Sequence, residues 1–295
     1  MICNKRQSLF IKKREAILIE KMMKKILTVI LMMQNLLLTA QNKNIKLPKG
    51  YGFEVKYSDT SITPIFSVHV TKKGKVSFED IKLPVEKLGD TIFKYRNKIR
   101  PDLMPFIINH IYADKKTPYK YVDAVKEQMS RARMFRVIYR TDNTQDISKG
   151  LTYSVHRYLK PAIKEPGEEK SLIFGEIPIV RSLEDQIIEN LYTLQFEQAK
   201  LKLNKFKYVV ITINDSESLL VNNKKILLKE AEQIYDAMKN NDFFIISVDE
   251  NLKYEDYIKN LTTIVKSYKK YEKHISLFEI SIGLQKILKE KNIKL

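Results

Sequence analysis

Four histidines, His69, His110, His156 and His274, and one cysteine, Cys3, are the residues best suited to metal binding or nucleophilic chemistry. Their spacing supports neither. No two histidines stand three or four positions apart, so no helix face offers a pair of imidazoles to one ion. No HExxH or Cys/His pattern occurs. A single cysteine permits no intrachain disulfide and no thiolate cage. GxSxG, P-loop and GxGxxG motifs are absent, and with eight glycines the chain has few places to cradle a phosphate. Glu168-Glu169 adjoin Pro166-Gly167 in a loop, which favours solvation over acid/base work. The residues therefore predict a non-enzyme without metal or cofactor. His69, His110 and His274 read as structural residues in or beside strands.

Two polar pairs recur instead. Asp114 follows the apolar run Phe106–Ile111, Asp249 follows Phe243–Ile246, and each precedes a helical pattern. Tyr119 and Tyr254 each follow their aspartate by five positions. A carboxylate in such a turn can accept backbone N–H groups and favour the start of the helix. The tyrosines can pack over the first helical turn. The other use of Asp114, Tyr119, Asp249 and Tyr254 is recognition of a partner, and these four are the candidate partner-binding residues.

The elements that position them repeat. Phe66, Val68 and Val70 alternate with Ser67 and His69, the period of a half-buried strand. Lys73-Gly74 turns the chain into a second strand at Val76 and Phe78. Val85, Leu88, Ile92 and Tyr95 follow at helical spacing after Pro84. Phe106–Ile111 predicts a central strand. Thr117-Pro118 predicts a helix start with Thr117 as cap, and Val122, Val125, Met129 and Ala132 its apolar face. Val137–Tyr139 closes the unit. The same order returns with strands at Tyr208–Ile213 and Leu219–Val221, a turn at Asn222-Asn223, and a helix through Ala231, Ile234 and Met238. A strand at Phe243–Ile246, a helix through Tyr257, Leu261, Ile264 and Tyr268, and a last strand at Ile275–Ile280 complete it. Between the copies, residues 182–203 read as one connecting helix capped by Ser182, with Asp185 in its first turn. The predicted fold is α+β: two tandem two-layer β-β-α-β-α-β units, at 60–145 and 206–295, joined by a mainly helical connector at 146–205.

The N-terminus carries Ile26–Ala40, a 15-residue apolar run directly after Lys24-Lys25. A bilayer-spanning helix needs about 20 apolar residues, whereas a signal-peptide core needs roughly 7–15 after a basic start. Residues 23–40 therefore predict a signal peptide cleaved before Gln41 or, if retained, a membrane anchor. Met22 and Met23 make residues 1–22 an over-extended start. The net charge of +18, from 53 basic against 35 acidic residues, suits anionic partners. No arginine cluster, aromatic ladder or nucleic-acid motif is apparent beside the charge, so nucleic acid is not expected as a partner.

Several runs of the first copy resemble the ExbD/TolR family. His69-Val70-Thr71-Lys72-Lys73-Gly74-Lys75-Val76 is similar to its opening hairpin. Tyr112-Ala113-Asp114-Lys115-Lys116-Thr117-Pro118-Tyr119-Lys120-Tyr121-Val122 is similar to its strand-to-helix signature. Arg136-Val137-Ile138-Tyr139-Arg140-Thr141 is similar to its closing strand. The second copy matches through Ser247-Val248-Asp249-Glu250-Asn251-Leu252-Lys253-Tyr254. The resemblance implies a periplasmic α+β domain and a homodimer. It also implies envelope partners of the ExbB/TolQ or TonB type, contact with peptidoglycan, and a role in biopolymer transport driven by proton-motive force. The family's membrane helix carries an aspartate that takes the proton, whereas residues 26–40 contain no ionisable side chain. The expectation is a transport component without its own proton relay. The alternative is an exported binding protein for an anionic cell-wall polymer.

Overall fold

Alternating burial along Ile65–Val70 sets the first strand. Phe66, Val68 and Val70 turn inward, while Ile65, Ser67 and His69 are half-buried. Each fully buried side chain of this kind contributes roughly 1.5–3 kcal/mol relative to exposure. The computed structural model describes residues 45–51, 63–142, 146–147, 149–154, 182–239, 241, 243–269 and 276–295, all within one compact unit, Ile45–Leu295. The run at 26–40 and the residues His156, Glu168-Glu169, His274 and Ile275 lie outside the described residues. Among the described residues no helix is long and apolar enough to cross a membrane.

The first copy runs β1 (Ile65–Val70), β2 (Val76–Phe78), β3 (Ile81–Leu83), α1 (Leu88–Arg96), β4 (Ile108–Ala113), α2 (Tyr119–Arg131) and β5 (Arg136–Arg140). Then β6 (Gly150–Ser154) is added, giving the sheet order β3-β2-β1-β4-β5-β6. The connector holds α3 (Leu183–Tyr192) and α4 (Phe196–Leu203). The second copy runs β7 (Tyr208–Ile213), β8 (Ser218–Val221), β9 (Lys224–Leu227), α5 (Ala231–Lys239), β10 (Phe243–Val248), α6 (Tyr254–Lys269) and β11 (Ser276–Glu279), with α7 (Ile282–Glu290) after it. Its sheet order is β11-β10-β7-β8-β9.

Apart from β6 at the edge of the first sheet, the two orders are the same once matched. In each, a three-strand antiparallel meander is followed by two parallel strands reached through helices. β1 pairs β4 from Ile65↔Ile108 to Val70↔Ala113, and β7 pairs β10 from Tyr208↔Phe243 to Ile213↔Val248. The α+β class and the doubled unit are as the sequence predicts.

The details sharpen it. Each unit is β-β-β-α-β-α-β, because β3 and β9 extend the hairpin through turns at Glu79-Asp80 and Asn222-Asn223, all four residues with positive φ. The central strand starts at Ile108, not Phe106, which lies in a 3-10 turn, Met104–Phe106. Thr117 does not cap α2: its hydroxyl donates to the Thr71 carbonyl at 3.2 Å, and Pro118 stands at the cap position. Ser182 does cap α3, accepting the Asp185 N–H at 3.1 Å. The connecting helix breaks at Thr193-Leu194, where Leu194 takes φ 62°.

One continuous core runs through both copies. It joins Val68, Ile111, Val122 and Val137 with Ile211, Ile246, Tyr257 and Leu261. A second core adds a layer to the second copy alone: Ile187, Leu191, Leu203, Leu284 and Leu288 of the connector and α7 lie over Phe243, Ile245 and Phe278.

Candidate functional site

The four residues singled out by their spacing all lie where the copies meet. The Asp114 carboxylate accepts the Lys116 N–H at 2.9 Å, and the Asp249 carboxylate accepts the Asn251 N–H at 2.8 Å. Both are turns in which a side chain replaces a backbone acceptor. The turns present the carbonyls of Lys115, Thr117, Glu250 and Leu252. The first amides of a helix have no partner within it, and here each copy supplies them to the other. Tyr119 N–H donates to Leu252 O at 2.8 Å and Lys120 N–H to Glu250 O at 2.9 Å. In return, Tyr254 N–H donates to Thr117 O at 2.8 Å and Glu255 N–H to Lys115 O at 3.0 Å. The exchange is reciprocal between equivalent positions, the pattern of an isologous two-fold contact, here made inside one chain.

The aspartates differ in burial. Asp114 is 6% exposed and accepts a second backbone donor, Lys46 N–H at 3.0 Å, whereas Asp249 is exposed. Tyr119 and Tyr254 are fully buried. The two tyrosine side chains reach the other copy, Tyr119 at Glu279 and Tyr254 at Tyr139, whereas the two carboxylates bond amides of their own copy or of the segment before it.

Behind the exchanged turns lies a closed polar cluster. The Lys126 ammonium pairs with the Glu279 carboxylate, both side chains being 2% exposed. Tyr119 donates to the same carboxylate, and Tyr257 donates to its other oxygen at 2.8 Å. Lys126 also donates to the Tyr119 hydroxyl at 3.0 Å and stands 5.5–6.0 Å from the ring centres of Tyr119, Tyr257 and Tyr139. Burial raises the Tyr139 and Tyr254 phenols far above their ordinary range, so both stay neutral. The Tyr254 hydroxyl finds no acceptor among the described residues. Beside the cluster, Asp123 accepts the Ile282 N–H at the start of α7 at 3.0 Å. Burial lifts its carboxyl to about 7, with Lys126 pulling the other way.

The cluster is asymmetric although its positions are matched. Tyr139 pairs Ile111 in the first sheet where Glu279 pairs Ile246 in the second, so the anion and a tyrosine occupy equivalent places. The ion pair is closed off from solvent where the two copies pack together, so removing either partner would strand a buried charge.

The outer face of the first sheet holds residues that spacing alone left as ordinary histidines. His69 stacks on Tyr112 at 4.7 Å, and the Tyr112 hydroxyl lies 3.5 Å from His110 Nδ1. Burial and the Arg140 guanidinium push His110 down to about 3, and burial lowers His69. Both rings are neutral near pH 7. Arg140 is fully buried, lies 5.4 Å from the Tyr112 ring, and donates to the carbonyls of Ile147 and Asp146, the latter at 2.6 Å. It thereby holds the segment that leads into β6.

Sequence reading missed Lys126, Glu279 and Arg140. It also overlooked an arginine cluster. Arg96, Arg133 and Arg136 line one cleft, and the run Arg131-Ala132-Arg133-Met134-Phe135-Arg136 was its signal. Among the described residues no group of three or more His, Cys, Asp or Glu side chains is placed to hold a metal ion. Comparison with known protein families, curated proteins and solved structures finds no match to this chain.

Proposed function

We propose that the chain is an exported, non-catalytic component of an envelope complex, of the ExbD/TolR kind, carrying a dimer-like pair of binding domains in a single polypeptide. The observation that carries this reading is the reciprocal exchange of helix-start hydrogen bonds between Lys115–Lys120 and Glu250–Glu255. The resemblance implies a domain that works as a dimer. Duplication with an internal two-fold contact supplies that arrangement without a second chain.

Export rests on the basic-then-apolar N-terminus, Lys24 to Ala40. Residues 26–40 carry no ionisable side chain, so in this reading a partner of the ExbB/TolQ type takes up the proton. Cross-linking in the native host followed by purification from the envelope fraction tests the reading. Recovery of a mature chain starting at Gln41, or of an anchored one, together with a proton-channel-type membrane protein supports it. A chain found in the cytosol with residues 26–40 intact contradicts it.

The net charge of +18 favours a second reading, an exported binder of an anionic cell-wall polymer. Cosedimentation with acidic polysaccharide distinguishes it, because charge-driven binding falls steeply with salt.

A further inference from the structure

Arginine is unevenly placed in this chain. Arg96, Arg100, Arg131, Arg133, Arg136 and Arg140 are six of its ten arginines, and no arginine follows Arg181. Three of the six converge. Arg96 ends α1, Arg133 sits in the turn after α2, and Arg136 opens β5; together they line a cleft of about 390 Å³. The remaining lining is apolar: Met104, Ile107, Met134 and Phe135. Phe106, in the same turn as Met104, is 53% exposed.

Ordinary surface physics explains part of this. A cation near a helix C-terminus is favourable, which accounts for positive charge at Arg96 and Arg133. It does not account for arginine, since the C-terminal turns of α4 and α7 use Lys200, Lys202 and Lys289. Nor does it account for Arg136, which belongs to a strand. Arg133 also occupies a costly position. Its φ is +60°, and the turn is closed by Arg133 N–H to Ser130 O and Met134 N–H to Met129 O, both 2.9 Å. Glycine or asparagine is the usual residue at this place in such a helix ending. An arginine thus takes a backbone position where glycine or asparagine is usual, and it lines one apolar cleft with two others. Guanidinium forks suit carboxylate and phosphate oxygens, and the volume lies in the range of small-molecule sites, far above that of one ion or water.

We propose that this cleft binds an anionic amphiphile: a carboxylate or phosphate monoester headgroup carrying an alkyl or aryl tail. The headgroup is held by Arg96, Arg133 and Arg136, and the tail lies along Met104, Ile107, Met134 and Phe135. The site is separate from the junction of the copies and does not depend on the envelope-complex reading.

Isothermal titration of the full chain with monomeric dodecyl phosphate tests it. The expected result is saturable binding of one molecule per chain, at least tenfold weaker for inorganic phosphate alone. Arg96→Glu and Arg136→Glu should each weaken binding at least tenfold, with Arg136→Lys between. Arg100→Glu, at an arginine outside the cleft that pairs with Asp102 at 2.7 Å, should leave it unchanged. Unaltered melting temperatures show that the variants fold. Binding to vesicles containing phosphatidylglycerol but not to the monomer would support the same chemistry and identify its source as a membrane lipid. Equal binding of dodecyltrimethylammonium, or native affinity in the Arg96→Glu/Arg136→Glu double variant, would overturn the proposal. So would a single-stranded oligonucleotide that displaces dodecyl phosphate, since it would mark a polyanion surface instead.

Discussion

The two copies use one face of their sheets alike and the other face differently. On the helix side, Val68, Ile111 and Val137 of the first copy match Ile211, Ile246 and the β11 position paired with Phe244, Leu277, and both sets enter one core. On the opposite side the first copy carries Ser67, His69, His110, Tyr112 and Arg140. The matched positions in the second are Val210, Thr212, Ile245, Ser247 and Ile280. The apolar members of that second set lie beneath α3, α4 and α7. One scaffold thus serves two ends. The second copy spends its outer face on packing, while the first keeps polar and ionisable groups there and holds the arginine cleft at its edge. The matched positions differ by polar and ionisable groups in one copy and apolar packing in the other.

The sharpest way to break the symmetry of the junction is through its buried ion pair. Lys126→Ala or Glu279→Ala alone leaves an uncompensated charge and should cost about 3–5 kcal/mol in denaturant titrations. Lys126→Leu, which installs the residue type of the matched Leu261, combined with Glu279→Met should recover most of that loss. If the double variant is no better than the singles, the cluster fixes docking in a way apolar packing cannot replace.

The contrast between outer faces comes next. Ile245→Ala, under the helices of the second copy, should cost about 2–5 kcal/mol. His69→Ala on the matched face of the first copy should cost only about 0.5–1.5 kcal/mol, the worth of its stacking on Tyr112. Equal losses would remove the distinction between a packed face and a polar one.

The two turn aspartates give a finer comparison. Asp249→Ala should cost about 0.5–2 kcal/mol, as the loss of a capping carboxylate does. Asp114→Ala should cost more, because Asp114 is buried and also holds Lys46 N–H. Thermal unfolding of the two variants in parallel reads the difference.

The last effect is one of pH. Asp123 is raised from 3.8 to about 7 in the folded chain, so between those values the folded chain keeps a proton that the unfolded chain has lost. Its contribution therefore falls as pH rises from about 4 to about 7, and is level outside that window. Asp123→Asn cannot lose this proton. Its stability relative to the parent should grow across the window, in urea titrations at stepped pH. A flat difference would mean that the buried carboxyl ionises at its ordinary value.

Much of the fold was legible because the relevant signals are local. The alternation of Phe66, Val68 and Val70 and the turn at Asn222-Asn223 are properties of short windows. Gly74 likewise marks its turn, with φ +75° and the Tyr121 ring against the space a side chain would fill. What escaped depended on distant partners. β3 follows Glu79-Asp80, which adopts positive φ without glycine or asparagine to announce it. β6 carries no signal of its own, because its place is set by pairing with Arg136–Arg140. Thr117 looked like a helix cap, yet the amides it would serve are taken by the second copy. Lys126 and Glu279 look like solvated charges until the fold brings them together across more than half the chain. The repeated Asp-to-Tyr spacing was visible; its purpose, holding carbonyls for the other copy's helix, required the structure.

The central claim is that the two copies cap each other's helices as matched halves of one unit. Native-state hydrogen exchange at the amides of Tyr119, Lys120, Tyr254 and Glu255 tests it most directly. The account predicts that all four are protected and that they lose protection together as denaturant is added, in one cooperative opening. Exchange of Tyr119 and Lys120 at open-loop rates while Tyr254 and Glu255 stay protected, or the reverse, would contradict it.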